Sequence, residues 1–407
     1  MTNAATLDKA HIQNLSATED NGVQCLIDGV WVHSITKYLA VVHSDITVAD
    51  YQLAYPNAPI YSPKLEAARR AKSEGVVMEA SATIHKLPTF IPASPPTKEQ
   101  FAKVFELGSA KAALNKRGDP IMIDVLGTPE AAFADYIPDV DPNYIFNIDL
   151  LKQVMMAFQL NIPMLAWGKH GTGKTTVFMQ YAARTKRPMI RVQHTVSTEE
   201  AHVLGQYVVK NGSTEFEPGP LAIAMRYGLV YLADEYDFAL PSVTSVYQPV
   251  TEGHKLIIKE ASPEWRVVKP HPNFRFIATG NTNGGGDETG LYQGTQIQNA
   301  AAYSRFGMTV EVGYMSAAQE TAVIAAQGGI MEADAKKLVD FGEHVRLAYA
   351  KGDIGMTISP RELIRAAQLA RVLGGEFRQG LSLAFMNRLN SVDRKAVNDF
   401  AQRVFAD

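Results

Sequence analysis

Eight consecutive residues, Gly168-Lys169-His170-Gly171-Thr172-Gly173-Lys174-Thr175, match GxxxxGK[ST] at every fixed position. The spacing has a chemical reason. Glycines let backbone N–H groups turn inward around a phosphate chain at the positive end of the following helix, a lysine reaches the β- and γ-phosphates, and a hydroxyl ligates Mg²⁺. Gly168, Gly171, Thr172, Gly173, Lys174, Thr175 and Thr176 are therefore the candidate nucleotide-binding residues, with ATP and Mg²⁺ the expected cofactors. A cradle alone binds without hydrolysing. Downstream, an apolar run over 229–233 ends on Asp234-Glu235. Asp234 would join Thr175 around Mg²⁺, through water, and Glu235 would orient and deprotonate the attacking water, because phosphoryl transfer needs positioning and charge stabilisation more than covalent chemistry. A third run, 274–279, leads into Gly280-Asn281 and would set Asn281 beside the acid pair if the runs are neighbouring strands. The competing reading of Asn281 is an ordinary turn asparagine. Two arginines follow, Arg305 just before the run 308–312 and Arg361 in Ser359-Pro360-Arg361-Glu362. A guanidinium offered to a γ-phosphate by a neighbouring subunit contributes about 10³–10⁵ in rate where it has been dissected, and a surface ion pair is the default alternative for either.

Such residues need a scaffold that aligns strand ends. From residue 150 onward, short apolar runs alternate with helical segments, the pattern of a parallel sheet with crossover helices. The expected strands are 163–167, 188–193, 229–233, 274–279 and 308–312. Beyond 313 the strand character ends, and helical stretches over 316–326, 333–350, 360–373 and 378–405 are separated by Gly328-Gly329, Gly352 and Gly374-Gly375. Upstream, residues 24–43 alternate apolar and polar around Asp28-Gly29, which predicts a tight hairpin turn. Four prolines within 87–96 predict a stiff extended linker. Thr97 followed by Gln100 reads as a capping box opening a helix over about 98–116. The expected organisation is a small module at 1–86, a linker and helix at 87–134, an α/β nucleotide-binding domain at 135–313 and an all-α domain at 314–407.

Composition narrows the classes. In 407 residues, 39 Lys and Arg against 42 Asp and Glu leave a formal charge of −3, with no surplus for a polyanion. Hydrophobic residues at 46% and charged residues at 20% are ordinary for a globular chain. One cysteine, Cys25, excludes an internal disulfide framework and favours a reducing compartment, so a cytoplasmic location is expected. The polar N-terminus lacks the apolar core of a secretory signal, and the most apolar stretch, 154–168, is interrupted by Gln159, Asn161 and Pro163. That falls short of the roughly 20 residues that span a bilayer, and no membrane partner is expected.

Taken in order, these motifs resemble those of the AAA+ ATPases and, within them, the MoxR group. A closer resemblance, to the ATPase subunits of aerobic cobaltochelatases, is carried by residues 137–146 (IPDVDPNYIF), by GKHGTGKTT at the loop, by Asp234-Glu235-Tyr236-Asp237, by Pro270–Arg275 and above all by Gly286–Gln296, which no general ATPase argument requires. The resemblance spans about 135–370. It implies a P-loop AAA+ core with a five-stranded parallel sheet and an all-α lid, Walker A at Gly168–Thr175, Walker B at Asp234 and Glu235, sensor 1 at Asn281, an arginine finger at Arg305 and sensor 2 at Arg361. It further implies a homo-oligomeric ring, commonly hexameric, or a helical assembly, with ATP between subunits. Insertions are implied at 203–216, where Asn211-Gly212 suits a hairpin turn, and at 252–268. So is a partner protein bearing a von Willebrand A domain. Ser304 stands where the finger segment usually has an acid. In the N-terminal module Cys25, Asp28, His33 and His43 form a spacing like that of a decayed zinc module, with Tyr38 where a histidine would sit; structural zinc favours thiolate and imidazole, so a metal-free hairpin is the expected state.

The resulting expectation is a Mg²⁺-dependent, ring-forming ATPase that remodels a protein partner, as a diverged relative or as the ATPase subunit of a cobaltochelatase. Nucleic-acid remodelling is the other class of motor open to a P-loop ring, and the charge balance argues against it. A non-hydrolysing scaffold is disfavoured by Glu235.

Overall fold

The computed structural model describes residues 17–66, 96–108, 111–127, 131–210, 212–287 and 290–405. Of the proline-rich linker expected at 87–96, residues 87–95 lie outside these residues. The chain divides into one unit of residues 1–86 with 209–213 and a larger unit of residues 87–208 with 214–407.

In the larger unit five strands form one parallel sheet: β1 (Met164–Trp167), β2 (Met189–Gln193), β3 (Val230–Asp234), β4 (Arg275–Gly280) and β5 (Met308–Glu311). All five coincide with the expected runs to within a residue or two. The order across the sheet is β5-β1-β4-β3-β2. Because β4 lies between β1 and β3, Ala278 pairs with Leu165 on one side and Ala233 on the other. The segments that leave the carboxyl ends of β1, β3 and β4 therefore emerge side by side, where open α/β sheets bind ligands. β3 is buried along its whole length, as expected for a strand covered on both faces. Val230 and Leu232 pack with Val154, Phe158, Phe178 and Tyr181 of the helices Ile148–Leu160 and Lys174–Arg184. Tyr231 and Ala233 face the opposite layer with Leu221 and Met225 of the helix Pro220–Tyr227.

The helix expected over 98–116 is not formed. Thr97–Gln100 is a strand paired antiparallel with Met122–Val125, and only single turns, Phe101–Val104 and Lys111–Ala113, follow. Cross-strand pairing, including the Lys98–Asp124 ion pair at 2.7 Å, overrides the local capping signal. Glu106 at φ 55° and Gly108 at φ 59° then turn the chain out of any helix. The first insertion is a hairpin of Gly205–Lys210 and Ser213–Pro218; Gly212 takes the left-handed turn position at φ 83°, while Asn211 lies outside the described residues. The second carries a short pair, Leu256–Ile257 with Val267–Val268, anchored by buried Trp265 beneath the Arg226 guanidinium.

The lid contains helices Ala317–Gly328, Glu332–Lys351, Pro360–Val372, Phe377–Ala384 and Ser391–Val404. The expected continuous stretch 378–405 is interrupted at Met386–Arg388, and Asn390 starts the last helix by accepting from the N–H groups of Val392 and Asp393. Among the described residues no helix is long and apolar enough to cross a membrane.

The N-terminal unit begins with a two-residue ribbon, Val23–Gln24 against Trp31–Val32. The turn is not the tight one expected at Asp28-Gly29. Residues 25–30 form a wider loop in which only Gly29 has positive φ, closed by Gly29 N–H to Cys25 O and Cys25 N–H to Val30 O, both 2.8 Å. Instead of extending the alternation to 43, Ser34 caps a helix at Ile35–Val42; a second helix, Val48–Ala54, is capped by Thr47 with Asp50.

Candidate active site

The loop after β1 folds as its glycines require. Gly168 has φ 142°, and a Cβ there would lie 2.4 Å from Val312 O; Gly171 has φ 73°, and its Cβ would meet Ser359 of the lid at 2.5 Å. Gly168 N–H donates to Gly280 O at 3.2 Å, tying the loop to the end of β4. The helix Lys174–Arg184 starts inside the motif and is capped by Gly173. A cavity of about 640 Å³ opens there, lined by Lys174, Thr175, Asp234, Glu235, Asn281 and, from the lid, Arg361. Gly171, Thr172, Gly173 and Thr176 line it too.

Lys174 Nζ is buried and donates to Gly168 O at 2.6 Å, Lys169 O at 2.8 Å and Asn281 Oδ1 at 3.3 Å. Burial lowers its pKa to about 8, against the opposing pull of Asp237 and Asp234. Thr175 Oγ1 donates to Asp234 Oδ1 at 2.7 Å. Burial alone would raise the Asp234 pKa; hydrogen bonds from Thr279 and Thr175 and the charge of Arg191 outweigh it and keep the carboxylate ionised. This pair of hard oxygen donors fits Mg²⁺. Glu235 follows in a left-handed conformation, φ 53° and ψ 43°, which sets its carboxylate at the cavity, where Oε2 accepts from Gln193 Nε2 at 2.9 Å.

Arg361 occupies the first turn of the helix Pro360–Val372, whose capping box joins Ser359 to Glu362. Arg305 is not among the cavity's residues: its Nε donates to Glu252 Oε1 and its Nη1 to Ala301 O, both at 2.6 Å. The structure thus gathers every expected site residue except Arg305 around one cavity or within the loop that frames it.

Several participants escaped sequence reasoning. Arg191 on β2 grips Asp234 Oδ2 at 2.7 Å through Nε, and Gln193 holds Glu235. The available signal was polarity at alternate positions of an otherwise apolar run. Asp237, fully buried, accepts at Oδ2 from Asn281 N–H (2.9 Å), Thr282 N–H (2.8 Å) and Thr282 Oγ1 (2.9 Å). Burial raises its pKa despite those bonds, and Oδ1 is buried with no hydrogen-bond partner among the described residues. From the 286–296 segment, Tyr292 reaches the loop, its hydroxyl accepting from His170 N–H at 3.2 Å.

A phosphate loop after β1, an acid pair at the end of β3, an asparagine after the intervening β4 and a lid arginine define an ATP hydrolase of the AAA+ class. Comparison with known proteins agrees. Residues 163–306 match the AAA domain (dynein-related subfamily), and residues 320–402 match the CbbQ/NirQ/NorQ C-terminal domain. The aerobic cobaltochelatase subunit CobS of Sinorhizobium sp is 34% identical over 280 residues, 66% of this chain and 83% of the relative. Protein CbbQ of Hydrogenophilus thermoluteolus is 27% identical over 58% of this chain and 84% of its own length, and protein NorQ of Paracoccus denitrificans (strain Pd 1222) 25% identical over 69% and 96%. The chain belongs to the MoxR family of AAA+ ATPases.

Proposed function

We propose that the protein is a ring-forming, Mg²⁺-dependent ATPase of the cytoplasm that hydrolyses ATP between subunits and uses the cycle to remodel a protein partner bearing a von Willebrand A domain. The observation that carries this reading is the pairing of a complete set of hydrolytic groups around one cavity with an arginine, Arg305, kept outside it. Lys174 neutralises phosphate charge, Glu235 takes the proton of the attacking water while Gln193 holds its carboxylate, and Asn281 orients the water or the γ-phosphate. Thr175 and Asp234 hold Mg²⁺, which when bound spreads the charge of the β- and γ-phosphates. Arg361 ties the lid to the nucleotide's state, and Arg305 completes the site of an adjacent copy.

The 34% identity to CobS favours a second reading, the ATPase subunit of a cobaltochelatase. One experiment separates them. Glu235→Gln should bind ATP as tightly as the wild type and lose at least about 10²-fold in kcat, trapping the assembled, ATP-bound form on its partner. Recovery of a von Willebrand A protein without chelatase subunits supports remodelling; recovery of the large chelatase subunit assigns the second reading; DNA alone, or unchanged turnover, refutes both.

A further inference from the structure

Outside the ATPase site, one group of metal-ligating side chains converges among the described residues: Cys25, Asp28 and His43, whose ligand atoms all lie within 4.8 Å of one another. They come from separate parts of the N-terminal unit. Cys25 and Asp28 sit three residues apart in the loop after Val23–Gln24, and His43 ends the helix Ile35–Val42. We propose that this trio is a site for a thiophilic divalent cation, Zn²⁺ being the best fit, with solvent in the fourth position.

Three observations support it. The loop is closed as a knuckle, Cys25 N–H to Val30 O and Gly29 N–H to Cys25 O. The backbone N–H groups of Ile27 and Asp28 donate to the Cys25 sulfur, while burial and the neighbouring Asp28 carboxylate hold the thiol protonated, above its ordinary range, until a cation displaces the proton. The donors have zinc chemistry: one thiolate, one imidazole and one carboxylate at bond lengths of about 2.0–2.3 Å give tetrahedral edges of about 3.3–3.8 Å. His43 Nε2 and Asp28 Oδ2 already stand 2.8 Å apart, so binding needs only a small opening there and a closure by the sulfur. The Tyr38 hydroxyl donates to the same Asp28 oxygen at 2.7 Å, the position of an outer-shell group that orients a ligand.

A cation also answers a need of this unit. Its described core is seven residues, Val23, Cys25, Val32, Ile35, Tyr38, Leu39 and Tyr51. A core this small is commonly reinforced by a disulfide, a metal or association with another surface, and a single cysteine excludes an internal disulfide. The arrangement also revises the spacing read from sequence: the converging set is Cys25, Asp28 and His43, without His33.

The test uses the full-length chain. Cys25 is its one cysteine, so a thiolate-to-cobalt charge-transfer band on adding one equivalent of Co²⁺ in excess Mg²⁺ reports this site alone. We expect that band in the wild type, its loss on adding one equivalent of Zn²⁺, and protection of Cys25 from a thiol reagent by Zn²⁺. Cys25→Ser should release the zinc to a competing chelator, His43→Ala should weaken retention at least tenfold, and Tyr38→Phe about tenfold as an outer-shell loss. No charge-transfer band in the wild type, or zinc retained equally by Cys25→Ser, overturns the proposal. The wild-type spectrum decides it even if a variant fails to fold, and none of these readouts depends on ATP hydrolysis.

Discussion

Glu235 is a glutamate held in left-handed backbone, φ 53°, a conformation that costs a non-glycine residue about 1–2 kcal/mol. Its backbone N–H is fixed by Thr279 Oγ1 at 3.2 Å and its carboxylate by Gln193. Strain of this kind persists only where surrounding contacts over-determine it, and such positions cluster at functional sites. Asp237 does comparable work from behind. One of its oxygens holds the N–H groups of both Asn281 and Thr282, so the asparagine's position depends on a buried carboxylate that never faces the cavity. Replacing Asp237 with Ala should leave the KM for ATP within about twofold and lower kcat by 10–100-fold or so, since misplacing a positioned group by about an ångström costs about 10² in rate. Steady-state kinetics on the variant check this; a large rise in KM with kcat unchanged would instead place Asp237 in nucleotide binding.

At the scale of elements, the lid is joined by one buried ion pair. Arg346, on Glu332–Lys351, donates through Nη1 and Nη2 to the two oxygens of Glu320, on Ala317–Gly328, at 2.6 Å each, and through Nε to Ile358 O at 3.0 Å just before the Arg361 helix. Its guanidinium also lies 4.0 Å above the Tyr314 ring, where the chain passes from sheet to lid. Arg346→Ala leaves Glu320, only 1% exposed, without its cation. Removing one member of a buried pair costs about 3–5 kcal/mol, whereas replacing both with apolar residues is often near neutral. Arg346→Met with Glu320→Leu should therefore recover most of the stability lost in Arg346→Ala, as read by urea denaturation; an equal loss in the double variant would mean the pair itself is not the source. The same contrast between local and distant contacts governs what the residues revealed in advance. Each core strand is a mainly apolar run with its own signal, and the phosphate loop and acid pair are contiguous, so these were legible. Thr97–Gln100 was misread because its partner lies at Met122–Val125, and a four-residue capping signal carries no trace of that pairing. Arg191, Gln193 and Asp237 were overlooked because each acts through a group placed more than 40 residues away by the β4-β3-β2 order.

At the scale of the whole molecule, Arg305, the proposed catalytic cation, is held apart from the cavity of its own chain. Arg305 is partly exposed, its side chain at 28%, and engaged by Glu252 of the second insertion. An exposed pair of this kind is worth only about 0–1 kcal/mol and is readily exchanged for a phosphate. If Arg305 serves the neighbour's site, two inactive variants should repair each other. Arg305→Ala keeps its own cavity intact but offers no guanidinium, and Lys174→Ala offers Arg305 but cannot hold ATP productively. Each alone should fall by about 10³-fold or more, within the range measured for such arginines. Mixed, they create interfaces in which the cavity of the first meets the arginine of the second. ATPase activity should then rise well above the sum of the separate rates, reach its maximum near equal amounts, and vanish on dilution as subunits part. Activity that stays at the sum of the two, with co-assembly verified by size, would place the role of Arg305 within its own chain, and the coupling between subunits would have to run through the lid and Arg361 instead.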